Sequence, residues 1–187
     1  MEILLVRHGE TEWSAAGKHT SATDLPLVET GRRRAAALAD ELAGRTFALV
    51  LCSPLRRARE TCELAGLGGS AVIEDDLREW DYGEYEGLTT PEIRERRPDW
   101  WLWTDGCPGG ESPAQVAARA DRALARLRSA DGDAIAFAHG HILRVMAARW
   151  VDEAAAFGAH LVLAAGGLSV LGFERDTEVL ARWNTGP

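Results

Sequence analysis

No stretch of this chain approaches the roughly 20 consecutive apolar residues of a membrane-spanning helix, although 46% of its 187 residues are hydrophobic. Cysteine is scarce: Cys52, Cys62 and Cys107 are the three present, none at metal-ligand spacing. So small and odd a number points away from a disulfide framework and fits a reducing, cytoplasmic setting. Positive charge is short as well. The formal net charge of −8 argues against a general nucleic-acid or anionic-membrane surface. It leaves room for a phosphate pocket, because a few local arginines outweigh a distant average field. Residue 2 is glutamate and the apolar run after it is short, so no signal peptide is expected. Internal repeats, low-complexity tracts and linkers are lacking too, and the length suits one domain, 1–187.

What is present is an alternation of strand and helix signals. Residues 2–7 read as a first strand, and Thr30 can cap a helix to about residue 43 with Gly44 as its stop. Residues 47–52 form a second strand; Ser53 then caps a helix with Pro54 at its first position and Gly66 at its end. Residues 71–74 are a short third strand. Ser112-Pro113-Ala114-Gln115 is a capping box that opens a helix to about residue 129. A strand at 133–138, a helix at 142–151 and a closing hairpin from 169–173 and 179–183 follow. This order predicts a three-layer α/β/α sandwich with a mainly parallel central sheet and an antiparallel edge. Residues 82–110 depart from the pattern, being rich in Gly, Pro and Trp, with Pro98-Asp99-Trp100-Trp101-Leu102-Trp103 at their centre. They read either as an insertion gating the end of the sheet or as a cover for core edges.

The first strand runs directly into Arg7-His8-Gly9-Glu10-Thr11. Arginine offers a planar, permanently charged fork for phosphate, and histidine a ring nitrogen able to act as nucleophile. Glycine lets the backbone turn sharply beside a ligand. Three more segments follow in order: Ser53-Pro54-Leu55-Arg56-Arg57-Ala58-Arg59-Glu60-Thr61, then Leu77-Arg78-Glu79-Trp80-Asp81-Tyr82-Gly83, then His139-Gly140-His141 after an apolar run. Ligands of doubly wound sheets sit outside the carboxyl ends of strands, where Arg7, His8 and His139 fall. Arg57 lies in the first turn of a helix, whose free N–H groups favour anions. Taken alone, His139 reads equally well as a core histidine; beside His8 and two arginines it joins a candidate phosphate site.

In that order the four segments resemble the histidine phosphatase superfamily, specifically its phosphoglycerate-mutase-like branch. Glu12-Trp13-Ser14, Thr23-Asp24-Leu25-Pro26-Leu27 and the blocks around Glu79 and His139 are similar to its small acid-phosphatase and sedoheptulose-bisphosphatase-like members. The resemblance implies a phosphatase of small phosphorylated metabolites that needs no metal or cofactor; sugar phosphates or phosphoglycerate-like acids are the expected substrates. His8 would form a phosphohistidine, with Arg7, Arg57 and a protonated His139 stabilising the transferring group. Glu79 is the matching acid by family spacing, among rivals Asp75, Asp76, Asp81, Glu84 and Glu86. Ser14, Thr20, Ser21, Gly140 and His141 are candidate substrate contacts, with Lys18, His19 and Arg144 as further possibilities. Serine at 21 stands where relatives carry glycine, and Ser14 where many carry asparagine. Glu111 can orient a site arginine or serve as a helix-start acid. His139 and His141 lack the companions of a metal site. A phosphoglycerate mutase shares these catalytic residues, and a phosphate-ligand binding module is the non-enzymatic alternative. Arg94, Arg96 and Arg97 are the insertion cations available for a carboxylate, or else simply a helix face. The chain is expected to be a monomer or a homodimer.

Overall fold

The computed structural model describes residues 1–186. It runs β1 (Ile3–Arg7), α1 (Glu12–Ala15), α2 (Glu29–Glu41), β2 (Leu49–Cys52), α3 (Arg56–Leu64) and β3 (Ala71–Ile73). It continues with α4 (Thr90–Arg96), α5 (Leu102–Asp105), α6 (Pro113–Arg128), β4 (Ala134–Ala138), α7 (Gly140–Trp150), β5 (Leu168–Glu174) and β6 (Thr177–Thr185). One six-stranded sheet has the order β3-β2-β4-β1-β5-β6. Its first four strands are parallel, while β5 runs antiparallel to β1 and β6 antiparallel to β5.

Side-chain alternation sets the layers. Ile3 and Leu5 of β1 face one side and Leu4 and Val6 the other, all buried, as expected where helices cover both faces. Leu4 and Val6 pack with Leu38 of α2 and Ala58 and Cys62 of α3. Ile3 and Leu5 join Leu124 of α6 and Ile142 and Val145 of α7. Helix α6 buries Val116, Ala120, Ala123, Leu124 and Leu127, a stripe at helical spacing, behind the Ser112–Gln115 capping box. The expected α/β/α sandwich is present, with both hairpin strands on one side of the parallel four.

Three expected starts move. Thr30 lies inside α2 and not at its cap, because its hydroxyl donates to Glu10 Oε2 at 2.7 Å while Val28 takes the cap position. Helix α3 begins at Arg56, three residues after Ser53, whose hydroxyl is engaged elsewhere. Helix α7 begins at Gly140, which makes His139 its N-cap residue. The insertion tryptophans also differ from a lid. Trp100 and Trp103 are buried in the core cluster and Trp101 alone is open, at 46% exposure. They form a wall beside the sheet's end.

Strand register positions the site. Arg7 pairs with Ala138, and Cys52 pairs with Phe137. The next residues, His8, His139 and Ser53, therefore emerge side by side from three neighbouring parallel strands. The loop after β1 is pinned from below by helix α2. A Cβ on Gly9 would meet Gly31 O at 2.4 Å, and one on Gly31 would meet Glu10 O at 2.3 Å. No flexible side chain can yield there, since the obstructing atoms are backbone. Gly31→Ala is expected to lower stability by about 2 kcal/mol through overpacking and to cut activity by displacing residues 8–10. Denaturant unfolding checks the first effect, and an unchanged midpoint would show that the loop accommodates the methyl.

Candidate active site

His8 is fixed by its neighbour. Its Nδ1 lies 2.7 Å from Gly9 O, and a carbonyl only accepts, so Nδ1 carries the hydrogen and Nε2 keeps its lone pair. Burial first, then the Arg57 and Arg7 charges, holds the His8 pKa well below the ordinary value. The ring is neutral and oriented.

Arg57 is fully buried in the turn that opens α3. Its Nε donates to His139 Nδ1 at 3.1 Å, Nη1 to Thr23 O at 3.0 Å, and Nη2 to Thr20 O and Ser21 O at 3.1 Å each. Thr61, one helical turn on, donates to Arg57 O at 2.7 Å and accepts from Gly9 N at 3.0 Å, tying α3 to the His8 loop. Arg7 donates through Nη1 to Leu163 O. Its Nε is the one buried side-chain N or O atom without a partner among the described residues. A buried N–H normally has an acceptor; this one lies close to Gly140, where an added Cβ would come within 3.3 Å.

His139 differs from expectation. Its Nε2 is 2.8 Å from Ser53 Oγ while Nδ1 accepts from Arg57. Burial, Arg57, His8 and Arg7 all push its pKa well below the ordinary value. A protonated His139 is thus not the resting state: Nδ1 is acceptor to a guanidinium, and the ring is neutral. Its centroid is 5.1 Å from that of His8.

Glu79 approaches from the opposite side. Its carboxylate accepts from Trp80 N at 2.9 Å, His141 N at 3.0 Å and Ile142 N at 2.9 Å, so it sits on the N-terminal turn of α7. Arg119 secures the segment that carries it, donating to Asp76 O, Arg78 O and Glu79 O while held by Glu111 at 2.8 Å. Glu111 therefore orients an arginine that supports the site from outside.

A cavity of about 240 Å³ lies between these groups. Arg7, His8, Ser14, Thr20, Glu79, Gly140 and His141 line it, with Lys18, His19, Tyr82 and Arg144. Of the acids between 75 and 86, Glu79 alone reaches its wall. Arg57 and His139 stand behind His8. Ser21 is not on that wall: its carbonyl receives Arg57 and its amide donates to Glu86 at 2.8 Å. Ser14 lines the cavity, yet its hydroxyl donates to Thr11 O at 3.0 Å as part of the α1 capping box. Arg94 donates to Trp100 O and Arg97 pairs with Asp105; neither lines this cavity, though Arg94 lines the small slot beside it. Four contributors escaped sequence reading: Ser53 beneath His139, Thr61, Tyr82 against His141, and Glu86, which clamps Ser21 N and Thr23 N. Ser53 and Thr61 do fall within a motif, but their partners lie far away in sequence. Among the described residues no group of three or more His, Cys, Asp or Glu is arranged to hold a metal ion, and no helix is long and apolar enough to cross a membrane.

Strand ends that carry Arg7, His8 and His139, and a helix turn that carries Arg57, gather neutral histidines and arginines with no bonded carboxylate at and behind one cavity, an arrangement suited to handling a phosphoryl group. The chain belongs to the histidine phosphatase superfamily, branch 1, whose family model matches residues 3–186, and it is a phosphatase of that family. It is 46% identical to an acid phosphatase of Mycobacterium tuberculosis strain H37Rv, over 96% of this chain and 90% of that protein. It is 37% identical to a sedoheptulose 1,7-bisphosphatase of Saccharomyces cerevisiae, over 79% of this chain and 66% of that one. The solved structure of a Mycobacterium tuberculosis open reading frame product is similar with a TM-score of 0.94 and 43% identity, covering 99% of this chain and 97% of its own.

The buried histidines make stability depend on pH. His8 and His139, both buried, stay neutral in the fold well below their ordinary range, whereas unfolded histidines titrate near about 6.5. Below that pH the unfolded chain takes up protons the fold refuses, so stability present above it is lost as pH falls. The Tm is expected to drop between about pH 7.5 and 5.5, a window above ordinary carboxylate titration. A flat thermal profile would show that these rings are protonated in the fold.

Proposed function

We propose that this phosphatase hydrolyses phosphomonoesters of small metabolites, phosphorylated sugars foremost, through a phosphoryl group carried on His8. One observation supports this most: a neutral His8 with its lone pair on Nε2 faces a cavity beside a buried, unpartnered Arg7 Nε–H. The lone pair attacks phosphorus in line, forming an N–P bond as the ester P–O bond breaks. Arg7 stabilises the equatorial oxygens from the cavity wall, and Arg57 adds its charge from behind His8. Two positive charges already near the phosphoryl group do the electrostatic work that a magnesium ion does in other classes, so chelators should leave the rate intact. His139 stays neutral, its Nδ1 accepting the Arg57 Nε–H, and acts by orienting that guanidinium. Glu79 protonates the departing alkoxide, then takes a proton from the water that cleaves the N–P bond.

Hydrolysis is favoured over mutase chemistry by the placing of cations. A mutase must grip the carboxylate of a phosphoglycerate, yet Arg94 bonds Trp100 O at 3.2 Å and Arg97 pairs with Asp105 at 3.5 Å. Lys18 and Arg144 are the remaining cavity cations, suited to a polar substrate body in a site open to water.

Two experiments test this reading. Turnover quenched in alkali, where phosphohistidine survives, is expected to leave the phosphoryl group on the peptide holding His8; His8→Ala should abolish both label and activity. Labelling elsewhere would sink the assignment. Glu79→Gln should slow alkyl phosphates by about a hundredfold or more, the range of general acid catalysis. An activated aryl phosphate, whose anion leaves without a proton, should suffer far less. Equal losses would give Glu79 a binding role.

A further inference from the structure

Beyond the reacting phosphoryl group, the cavity is walled by two histidines whose identical-looking rings are not equivalent. His19 and His141 lie parallel, within 5°, with centroids 6.3 Å apart. Both line the main cavity and also an adjoining slot of about 70 Å³ among Arg94, Trp100, Trp101 and Trp103, where Arg94 Nε is held by Trp100 O. Each has one nitrogen committed to the protein. His19 Nδ1 lies 2.8 Å from Leu88 O; the carbonyl accepts, so His19 carries its hydrogen on Nδ1. His141 Nδ1 lies 2.6 Å from the Tyr82 hydroxyl. That phenol is buried, and burial together with Glu79 holds its pKa well above the ordinary value. It keeps its proton and gives it to Nδ1, its one hydrogen-bond partner, which leaves the His141 hydrogen on Nε2.

Burial keeps both rings neutral, with Arg144 adding to the effect at His141. Neither Nε2 has a protein partner, and neither is a buried orphan, since Arg7 Nε alone holds that position among the described residues. Both therefore open to the cavity system. The wall presents one fixed donor, His141 Nε2–H, and one fixed acceptor, His19 Nε2. A carboxylate or phosphate accepts only, and would meet the His19 lone pair with its own. A methylene satisfies neither atom. A hydroxyl donates and accepts at once. Arg144 and Lys18 add positive charge to the wall, but Arg144 Nε and Nη2 are held by Gly158 O and Ala159 O, and neither cation alters the donor and acceptor that the two rings present.

We propose that His19 and His141 are specificity-determining residues that read a hydroxyl on the substrate's carbon chain, His141 Nε2–H donating to it and His19 Nε2 accepting from it. Tyr82 and Leu88 O set that polarity. This rests on the hydrolytic reading above and narrows it to polyol and sugar phosphates.

The test measures kcat/KM for glycerol 1-phosphate and for n-propyl phosphate, with an aryl phosphate as reference, in the wild type, His19→Leu and Tyr82→Phe. The wild type is expected to favour glycerol 1-phosphate at least about tenfold, because a polar site rejects an analogue that leaves its groups unpaired. His19→Leu should bring that ratio close to one, mainly through KM. Tyr82→Phe, which frees the His141 tautomer, should reduce it several-fold. Equal wild-type rates on the two alkyl esters would overturn the proposal even with the aryl phosphate turned over. So would a His19→Leu enzyme that slows both esters alike with the ratio kept. No phosphate release from any of the three by the wild type would instead sink the hydrolytic reading beneath it.

Discussion

The site depends on burying Arg57 without a carboxylate. Removing a guanidinium from water costs several kcal/mol, and a protein commonly offsets that with a buried acid. Here the compensation is four acceptors, three of them carbonyls of the 20–23 loop and the fourth His139 Nδ1. The loop cannot drift, because Glu86 receives Ser21 N and Thr23 N. Arg57 thus keeps its charge with no carboxylate bonded to it; Glu79 and more distant acids act on it only through space, and an anion bound in the cavity adds to that balance. Arg7 repeats the pattern with a carbonyl at one end and an unpartnered N–H at the other. A carboxylate partner for either would stabilise the empty protein and weaken its hold on phosphate.

The same constraint sets the histidine chemistry. Burial first, and then the two buried cations, makes protonation unfavourable, so His8 and His139 rest neutral. Neutrality is what a nucleophile needs, and the Gly9 carbonyl decides which nitrogen holds the lone pair. Parallel strand order contributes the placement. Because β2, β4 and β1 are neighbours, residues separated by more than a hundred positions leave the sheet together. The N-terminal turn of α7 then holds Glu79 opposite them through two amides, the third coming from Trp80.

The fold was legible because strands covered on both faces and helices with strong stops leave local marks. Gly44, Gly66 and the Ser112 box all stand at helix boundaries. Thr30 misled because a side-chain acceptor 20 residues away, Glu10, outcompeted the cap. Ser53 misled for a like reason: its motif reads as a helix start, whereas its hydroxyl serves His139, 86 residues on. Arg7, His8, Arg57, Glu79 and His139 were readable because each sits in a short block of a familiar order. Glu86, Tyr82 and Thr61 were not assigned their supporting roles, since those exist only once distant segments meet. The tryptophans show the limit of composition. A Trp-rich insertion at a site's edge suggests a lid, yet Trp100 and Trp103 bury their rings and find carbonyl or cation partners inside.

A chain of net charge −8 concentrates positive potential in one place by spending its other arginines. Arg45 is held by Glu2 and Asp133, Arg122 by Asp76, and Arg149 by Asp121. These exposed pairs contribute little to stability individually, but each removes a cation that would otherwise draw phosphate to the surface. Arg7, Arg57 and Arg144 bond to carbonyls and to His139 instead, so their charge is not cancelled where it stands. At physiological salt, surface charge is screened within about 8 Å, while partly buried charge is screened far less. A phosphorylated metabolite therefore meets a net acidic exterior and a cavity where Arg7, Lys18 and Arg144 outnumber the single carboxylate of Glu79. Selectivity for the phosphoryl group begins with which arginines were given carboxylates and which were not.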